Sequence, residues 1–265
     1  MIRRLLLASA TVASLALTAA PAHAIVGGSN APAGAYPSIV EVKLAKSFLC
    51  TGTLVAPDWI LTAGHCGSVT GSAVATPIAF PGPLIDVYIG GTTPGAGETV
   101  PVTRAIIPPD YLLTQGHDVT LLQLARPSAQ APTKVAGAAD AGAWAPGTVG
   151  TIAGWGATSE GGDTPETLQH AQVPITGDDY CAGAYSAFDA ETMVCAGYPE
   201  GGIDTCQGDS GGPLYGTTAT GERRVVGATS FGEGCARPGK PGVYARVADT
   251  ELRTWIASVA PAAVG

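Results

Sequence analysis

Beyond residue 24 the chain places apolar and polar residues in short alternating runs. Ser38-Ile39-Val40-Glu41-Val42-Lys43-Leu44, Leu84-Ile85-Asp86-Val87-Tyr88-Ile89, Val119 to Leu124, Leu168 to Val173 and Val225 to Thr229 are rich in β-branched or alternating apolar residues, and Gly, Pro or Asp bounds them. A period of two over such short runs predicts β-strands with one face buried. No long helical pattern intervenes before the tail. There Leu252, Trp255, Ile256 and Val259 fall on one face of a helix predicted over about 250–260, with Asp249 or Thr250 as its cap. A stretch rich in Ala, Gly and Pro from about Ala125 to Ala145 reads as a crossing between two halves. The fold class is all-β with a C-terminal α-helix.

The first residues break this pattern. Arg3 and Arg4 precede an apolar run from Leu5 to about Leu17, and Ala22-His23-Ala24 is a small-residue cleavage site, so residues 1–24 read as a secretory signal peptide. The run is too short for a convincing membrane span. The remaining residues, 25–265, suffice for one large all-β domain. Charged residues make up only 13% of the chain, and its 37 glycines and 21 prolines suit many short strands joined by tight turns. The formal net charge is −8, becoming −10 without the leader (11 basic against 21 acidic side chains). An acidic surface disfavours nucleic acid as a partner and attracts cationic substrates, although solubility accounts for the same charge. Six cysteines in an exported chain imply three disulfides, with fifteen pairings formally open. Their wide spacing lacks the paired thiols of a zinc site.

The strongest chemical signal is Asp204-Thr205-Cys206-Gln207-Gly208-Asp209-Ser210-Gly211-Gly212-Pro213. A serine hydroxyl is a poor nucleophile unaided. A Ser among glycines, on a loop anchored by a Cys, has the form of a reactive atom held beside backbone N–H donors. Such a serine needs a base and an orienting acid. The chain has four histidines, of which His23 leaves with the leader. His65, in Leu61-Thr62-Ala63-Gly64-His65-Cys66, follows an apolar strand end, and an imidazole can both take and return a proton near neutrality. Asp118 leads straight into the apolar run Val119 to Leu124, so it would be drawn inward and need a partner such as the imidazole N–H. His117 and His170 read as surface or loop residues, and Trp144 and Trp155 as packing.

Chain order separates the rival chemistries. Gly208-Asp209-Ser210-Gly211-Gly212 also satisfies the nucleophile elbow of α/β-hydrolases, but no histidine follows Ser210, as that fold requires. An order of acid, histidine and serine with Asp58 as the acid stays open on order alone. The order His65, Asp118, Ser210 is the third.

The chain resembles the secreted bacterial trypsin-like members of the chymotrypsin family of serine proteases. The matching segments are Ile25-Val26-Gly27-Gly28, Thr62 to Cys66, the strand after Asp118, Gly154-Trp155-Gly156, the Ser210 segment, and Ser230-Phe231-Gly232 with Lys240-Pro241-Gly242-Val243-Tyr244. They span nearly everything from Ile25 to the C-terminus, and several independent motifs in one order form a specific signal. The resemblance implies two antiparallel β-barrels, about 25–135 and 136–248, with the active site between them. It implies a secreted endopeptidase cutting after Arg or Lys through an acyl-enzyme, with His65 as base, Asp118 as orienting acid and Ser210 as nucleophile. The N–H groups of Gly208 and Ser210 then form the oxyanion hole. Asp204 lies at the bottom of the primary pocket, where a carboxylate favours a basic side chain, with Gly232 and Gly242 keeping the wall open. Without the motif, Asp204 would read as a solvated loop acid.

Further implications follow from the same resemblance. Ser230-Phe231-Gly232 pairs with the substrate backbone as an added strand. The disulfides are Cys50 with Cys66, Cys181 with Cys195, and Cys206 with Cys235. The α-amino group of Ile25, freed by cleavage after Ala24, turns inward to pair with Asp209 and orders the pocket. Ala24 stands where a trypsin-activated zymogen would carry Lys or Arg, so signal peptidase, or trimming of a very short propeptide, is expected to generate the active form. No cofactor and no metal are implied, and Glu98 lacks the clustered acidic partners of a calcium loop. The expected partners are protein or peptide substrates and protein protease inhibitors, with no nucleic acid or membrane, and the chain is expected to act as a monomer. Two departures stand out: Gly64 where alanine is usual, and Phe231 where tryptophan is common. The segment 67–83 is longer than in compact relatives and either shapes leaving-group-side specificity or is a tolerated surface loop, the second being the commoner case.

Overall fold

A computed structural model describes residues 25–44, 48–68 and 85–265. The proposed leader, and the long loop from residue 69 on, lie outside the described residues. The first half of the chain forms β1 (Ser29–Asn30), β2 (Ile39–Leu44), β3 (Phe48–Ala56), β4 (Trp59–Thr62), the short helix α1 (Gly64–Ser68), β5 (Ile85–Gly90), β6 (Gly97–Thr99), β7 (Val102–Ile106) and β8 (Thr120–Leu124). The second half forms β9 (Val149–Gly154), β10 (Gln169–Pro174), the helix α2 (Asp178–Ala184), β11 (Met193–Ala196), β12 (Pro213–Thr217), β13 (Arg223–Phe231), β14 (Gly242–Arg246) and α3 (Thr250–Val259).

These strands make two seven-stranded antiparallel sheets, ordered β6-β5-β2-β3-β4-β8-β7 and β1-β10-β9-β12-β13-β14-β11. The architecture is the chymotrypsin-like double barrel, all-β with a C-terminal helix. The five runs picked out by alternation all lie in strands, with ends shifted by one or two residues. β1 precedes the first sheet in the chain yet pairs with β10 in the second, Ser29 opposite His170 and Asn30 opposite Gln169.

Alternation translates directly into burial. Ile85, Val87 and Ile89 of β5 point into the first core while Asp86, Tyr88 and Gly90 are half-buried. That core also holds Val40, Val42, Leu54, Ile60 and Leu122, whereas Ile25, Ile152, Val173, Leu214, Val226 and Tyr244 fill the second. A third cluster, including Trp155, Tyr215, Val119 and Leu121, joins the two halves and receives Leu252 and Ile256 of α3. The helix begins where its sequence places a cap: the Asp249 carboxylate accepts from Leu252 N at 2.8 Å, satisfying one of the orphan donors of the first turn.

Two histidine expectations meet different outcomes. His170 is half-buried on β10, its Nδ1 2.6 Å from the Tyr36 hydroxyl. His117 is no surface residue: it ends a 3₁₀ turn over Gln115–His117 and is only 2% exposed. Two carboxylates inside contact distance, which a single-sequence pattern cannot reveal, make this burial tolerable.

Candidate active site

The register of β4 against β8 brings together the first two candidate residues. Thr62 stands opposite Thr120, with Leu61 opposite Leu121 and Ile60 opposite Leu122. Because the strands are antiparallel, the chain leaving β4 toward His65 and the chain entering β8 from Asp118 emerge at the same end. His65 Nδ1 lies 2.9 Å from Asp118 Oδ2, and the His65 backbone N–H donates to Asp118 Oδ1 at 2.8 Å. A second donor reaches Oδ2 from the other sheet, the Ser230 hydroxyl at 2.5 Å. Asp118 is buried and its carboxylate is held on both oxygens. Asp58, the alternative acid, sits in the β3–β4 turn, where its carbonyl accepts from Leu124 N; the imidazole faces Asp118 instead.

The Ser210 loop is pressed against the same strand end. Gly211 has φ +76, and a Cβ there would overlap Thr62 Oγ1 and Ala63 N, so only glycine permits this approach. The Ser210 carbonyl accepts from Thr51 N at 2.9 Å. Thr51 neighbours Cys50, which is disulfide-bonded to Cys66, the residue after His65. Gly208 has φ +102, and among the described residues neither its N–H nor that of Ser210 has a protein acceptor. Two backbone donors flanking a serine hydroxyl suit a developing oxyanion. Cys206–Cys235 and Cys181–Cys195 are the other two disulfides.

A cavity of about 180 Å³ opens beside Ser210, walled by Ser230, Phe231 and Gly232 and closed by Asp204. Asp204 is 4% exposed. Its carboxylate accepts from Thr205 N at 2.8 Å and Ala236 N at 3.1 Å. Burial pushes this carboxyl up to about 6 against those hydrogen bonds. A Cβ on Gly242 would lie 2.7 Å from Asp204 Oδ1, so any larger residue would cover the carboxylate.

Asp209 is completely buried. Its two oxygens accept from Gly156 N at 2.8 Å and Cys206 N at 2.9 Å, and burial, reinforced by the nearby Asp204 charge, pushes its carboxyl up to about 7. Side chains at Gly154 or Gly156 would collide with this carboxylate, which explains the glycines of the Gly154-Trp155-Gly156 motif. Among the described residues no ion pair reaches Asp209. Ile25 is fully buried in the second core with φ +55, and Val26 pairs with Asp204 through Val26 N to Asp204 O at 2.9 Å.

Pattern reading missed the residues of a second cavity, of about 540 Å³, next to His65. Tyr111, Leu112, Leu113 and Gln115 line it with Ser230 and Phe231. Leu112 and Leu113 are 72% and 88% exposed, and two adjacent leucines in the loop 107–117, outside any alternating run, were the available signal. Tyr111 also explains Gly64: its ring occupies the space a methyl on Gly64 would need, and Asp118 Oδ1 would be 2.9 Å from that methyl. Phe231 packs edge-on against Tyr185, ring centroids 5.6 Å apart. Glu98 is engaged by Arg126, Ser128 and Ala129 N. Asp110, His117 and Glu251 bring donor atoms within 4.8 Å of one another, but both His117 nitrogens already face carboxylates.

Comparison with known proteins agrees with this geometry. The family model described as Trypsin matches residues 25–256. The chain is 45% identical over 227 residues to a trypsin of Saccharopolyspora erythraea, covering 84% of this chain and 93% of that protein. It is 40% identical over 234 residues to trypsin-1 of Astacus astacus, covering 84% and 95%. Serine protease 56 of Mus musculus is 40% identical over 239 residues, which is 88% of this chain and 38% of that longer protein.

The crowding at Gly64 gives a direct test. Gly64→Ala is expected to lower kcat/KM about tenfold by driving Tyr111 and Asp118 apart from the helix α1 backbone. Tyr111→Ala in the same chain should restore at least half of the lost free energy in a double-mutant cycle measured with a peptide reporter. Equal losses in the single and double variants would refute the steric explanation.

Proposed function

The chain belongs to the trypsin family of serine endopeptidases, and on that premise we propose that it cuts peptide bonds after Arg or Lys through a triad of Ser210, His65 and Asp118. The observation that carries the reading is a buried carboxylate, Asp204, closing the cavity that opens beside Ser210. An Arg or Lys side chain entering this slot would exchange water for a charge-assisted contact in a poorly solvated place. Ser210 Oγ attacks the scissile carbonyl while His65 takes its proton. Asp118, held by His65 and Ser230, fixes the imidazole tautomer and stabilises the imidazolium. The N–H groups of Gly208 and Ser210 receive the oxyanion, and such a donor is worth roughly 3–4 kcal/mol of barrier. The leaving amine takes the proton from His65, and water then releases the acyl group by the same steps in reverse roles. The acyl side of the substrate lies along Ser230-Phe231-Gly232 as an added strand.

Secretion and activation belong to the same reading. The leader exports a monomeric enzyme whose natural partners are protein substrates and protein inhibitors. Removing residues 1–24 frees the Ile25 amino group, which pairs with Asp209 and supplies the cation its buried carboxylate lacks.

Asp204→Ser is expected to lower kcat/KM for Arg- and Lys-ending reporters by about a hundredfold or more, while an unchanged preference in a peptide library would refute the pocket assignment. In the parent enzyme the affinity for an arylamidine cation should weaken as pH falls through about 6, because the Asp204 carboxyl must then give up a proton before it can pair. Calorimetric titration across pH 5–8 with flat affinity would count against it.

The activation step makes a separate prediction. With its carboxyl raised to about 7 in the uncleaved chain, Asp209 stays protonated in the folded state where the unfolded chain has ionised. Ser210→Ala protein still carrying the leader should therefore lose stability as pH rises from about 4 to 7. The same variant starting at Ile25 should not, and denaturant melts of the two forms decide the matter. N-terminal sequencing of secreted protein should begin at Ile25.

A further inference from the structure

His117 takes no part in the proposed chemistry, yet it is buried with a carboxylate at each end of its ring. Nδ1 lies 2.7 Å from Asp110 Oδ2 and Nε2 lies 3.2 Å from Asp249 Oδ2. Asp110 belongs to the loop that carries Tyr111 and Leu112. Asp249 is the N-cap of α3, whose Leu252 and Ile256 are anchored in the cluster joining the two halves. The ring therefore ties the segment before Asp118, which belongs to the first sheet, to a helix that follows the second. Gly116 adds to the anchorage, since it is buried so tightly against Thr192 that a Cβ would overlap Thr192 Oγ1.

The backbone of His117 has an equally direct connection. Val119 N–H donates to the His117 carbonyl at 2.8 Å, and Asp118 between them has φ −75 and ψ 66. These are the values of an inverse γ-turn, which projects its central side chain outward. Asp118 is that central residue. Its Oδ2 must meet His65 Nδ1 from one sheet and Ser230 Oγ from the other at once, so a small rotation of the turn would lengthen at least one of these bonds.

We infer that His117 is a positioning residue for the reaction: by bridging Asp110 and the cap of α3 it holds the turn that aims Asp118 at His65. This rests on the reading of Asp118 as the orienting acid. Histidine suits the task because its rigid ring presents polar nitrogens in two separate directions. Phenylalanine fills the volume and meets neither carboxylate, and asparagine is too short to span both.

The test uses the mature chain carrying His117→Phe, with Asp110→Ala as a second variant. Asp110 has a partly exposed side chain, so its removal cuts one tie without emptying the core. Reactive enzyme is counted by labelling to completion with an organophosphonate, and kcat is expressed per labelled site on an Arg-ending amide. His117→Phe is expected to lose tenfold or more, since a displacement near 1 Å in a catalytic group can cost about a hundredfold. Asp110→Ala should lose threefold or more. Arylamidine affinity for the Asp204 pocket should stay within about threefold in both. A merely structural histidine would lower the melting temperature and the labelled fraction but leave kcat per labelled site intact. Values within twofold of the parent in His117→Phe therefore overturn the inference, as does a parallel collapse of arylamidine affinity. If His117→Phe does not fold, Asp110→Ala alone decides by the same threefold mark. Asp118→Asn is run alongside: full activity in that variant would remove the triad reading itself and is thereby distinguished from a failure of the His117 proposal.

Discussion

One carboxylate receives hydrogen bonds from both halves of this molecule. Asp118 accepts from the His65 backbone and ring on one side and from the Ser230 hydroxyl on the other. A buried carboxylate carries a large desolvation cost unless its lone pairs are filled, so the two sheets must meet in one register to fill them. The demand fixes the cleft geometry. β4 and β8 deliver His65 and Asp118 at one end of the first sheet, and the end of β13 in the second delivers Ser230. Hydrogen bonds to an ionised acceptor in a poorly solvated place are strong ones, which makes the arrangement rigid as well as specific.

The remaining parts of the site are held by absence of side chains as much as by contacts. Gly211 lets the Ser210 loop lie against Thr62 and Ala63, and Gly64 yields its methyl space to Tyr111. In both places a backbone or ring fills the volume that a Cβ would take, so the protein gains close approach between segments distant in the chain at the cost of glycine's greater unfolded-state freedom. The disulfide Cys50–Cys66 adds a covalent limit on how far the His65 segment can drift from β3, whose Thr51 N–H holds the Ser210 carbonyl.

Electrostatically the site is unbalanced by design of its environment. Asp204 and Asp209 are both buried within one short loop, both are raised by desolvation, and the charge of Asp204 raises Asp209 further. Neither has a cation partner among the described residues. Two such carboxylates are costly in a chain with a net negative charge, and each would gain from a positive group arriving from elsewhere: in the proposed reading, a basic substrate side chain at one and a liberated chain terminus at the other. In that reading the same physics ties pocket selectivity and activation to a single loop.

Much of this was readable in the linear chain. Alternation located five strands, helical spacing located the α3 face, and local chemistry narrowed its cap to Asp249 or Thr250, because those signals depend on residues a few positions apart. The Ser210, His65 and Asp118 segments were recognisable from motif and order. Other features required the folded arrangement. The burial of His117 depends on Asp110 seven positions before it and Asp249 far beyond it, and neither is marked in the sequence as its partner. The second cavity arises only where the Tyr111–Leu113 loop meets Phe231, and β1 joins the sheet of the opposite half. The amino-acid sequence by itself determined which groups could do chemistry and marked five of the fourteen strands of the described residues, since both follow from local composition and period. Only the tertiary structure decided which acid faces the imidazole, which carboxylates lose their water and which glycines are forced, because distances and burial are properties of segments brought together across the whole chain.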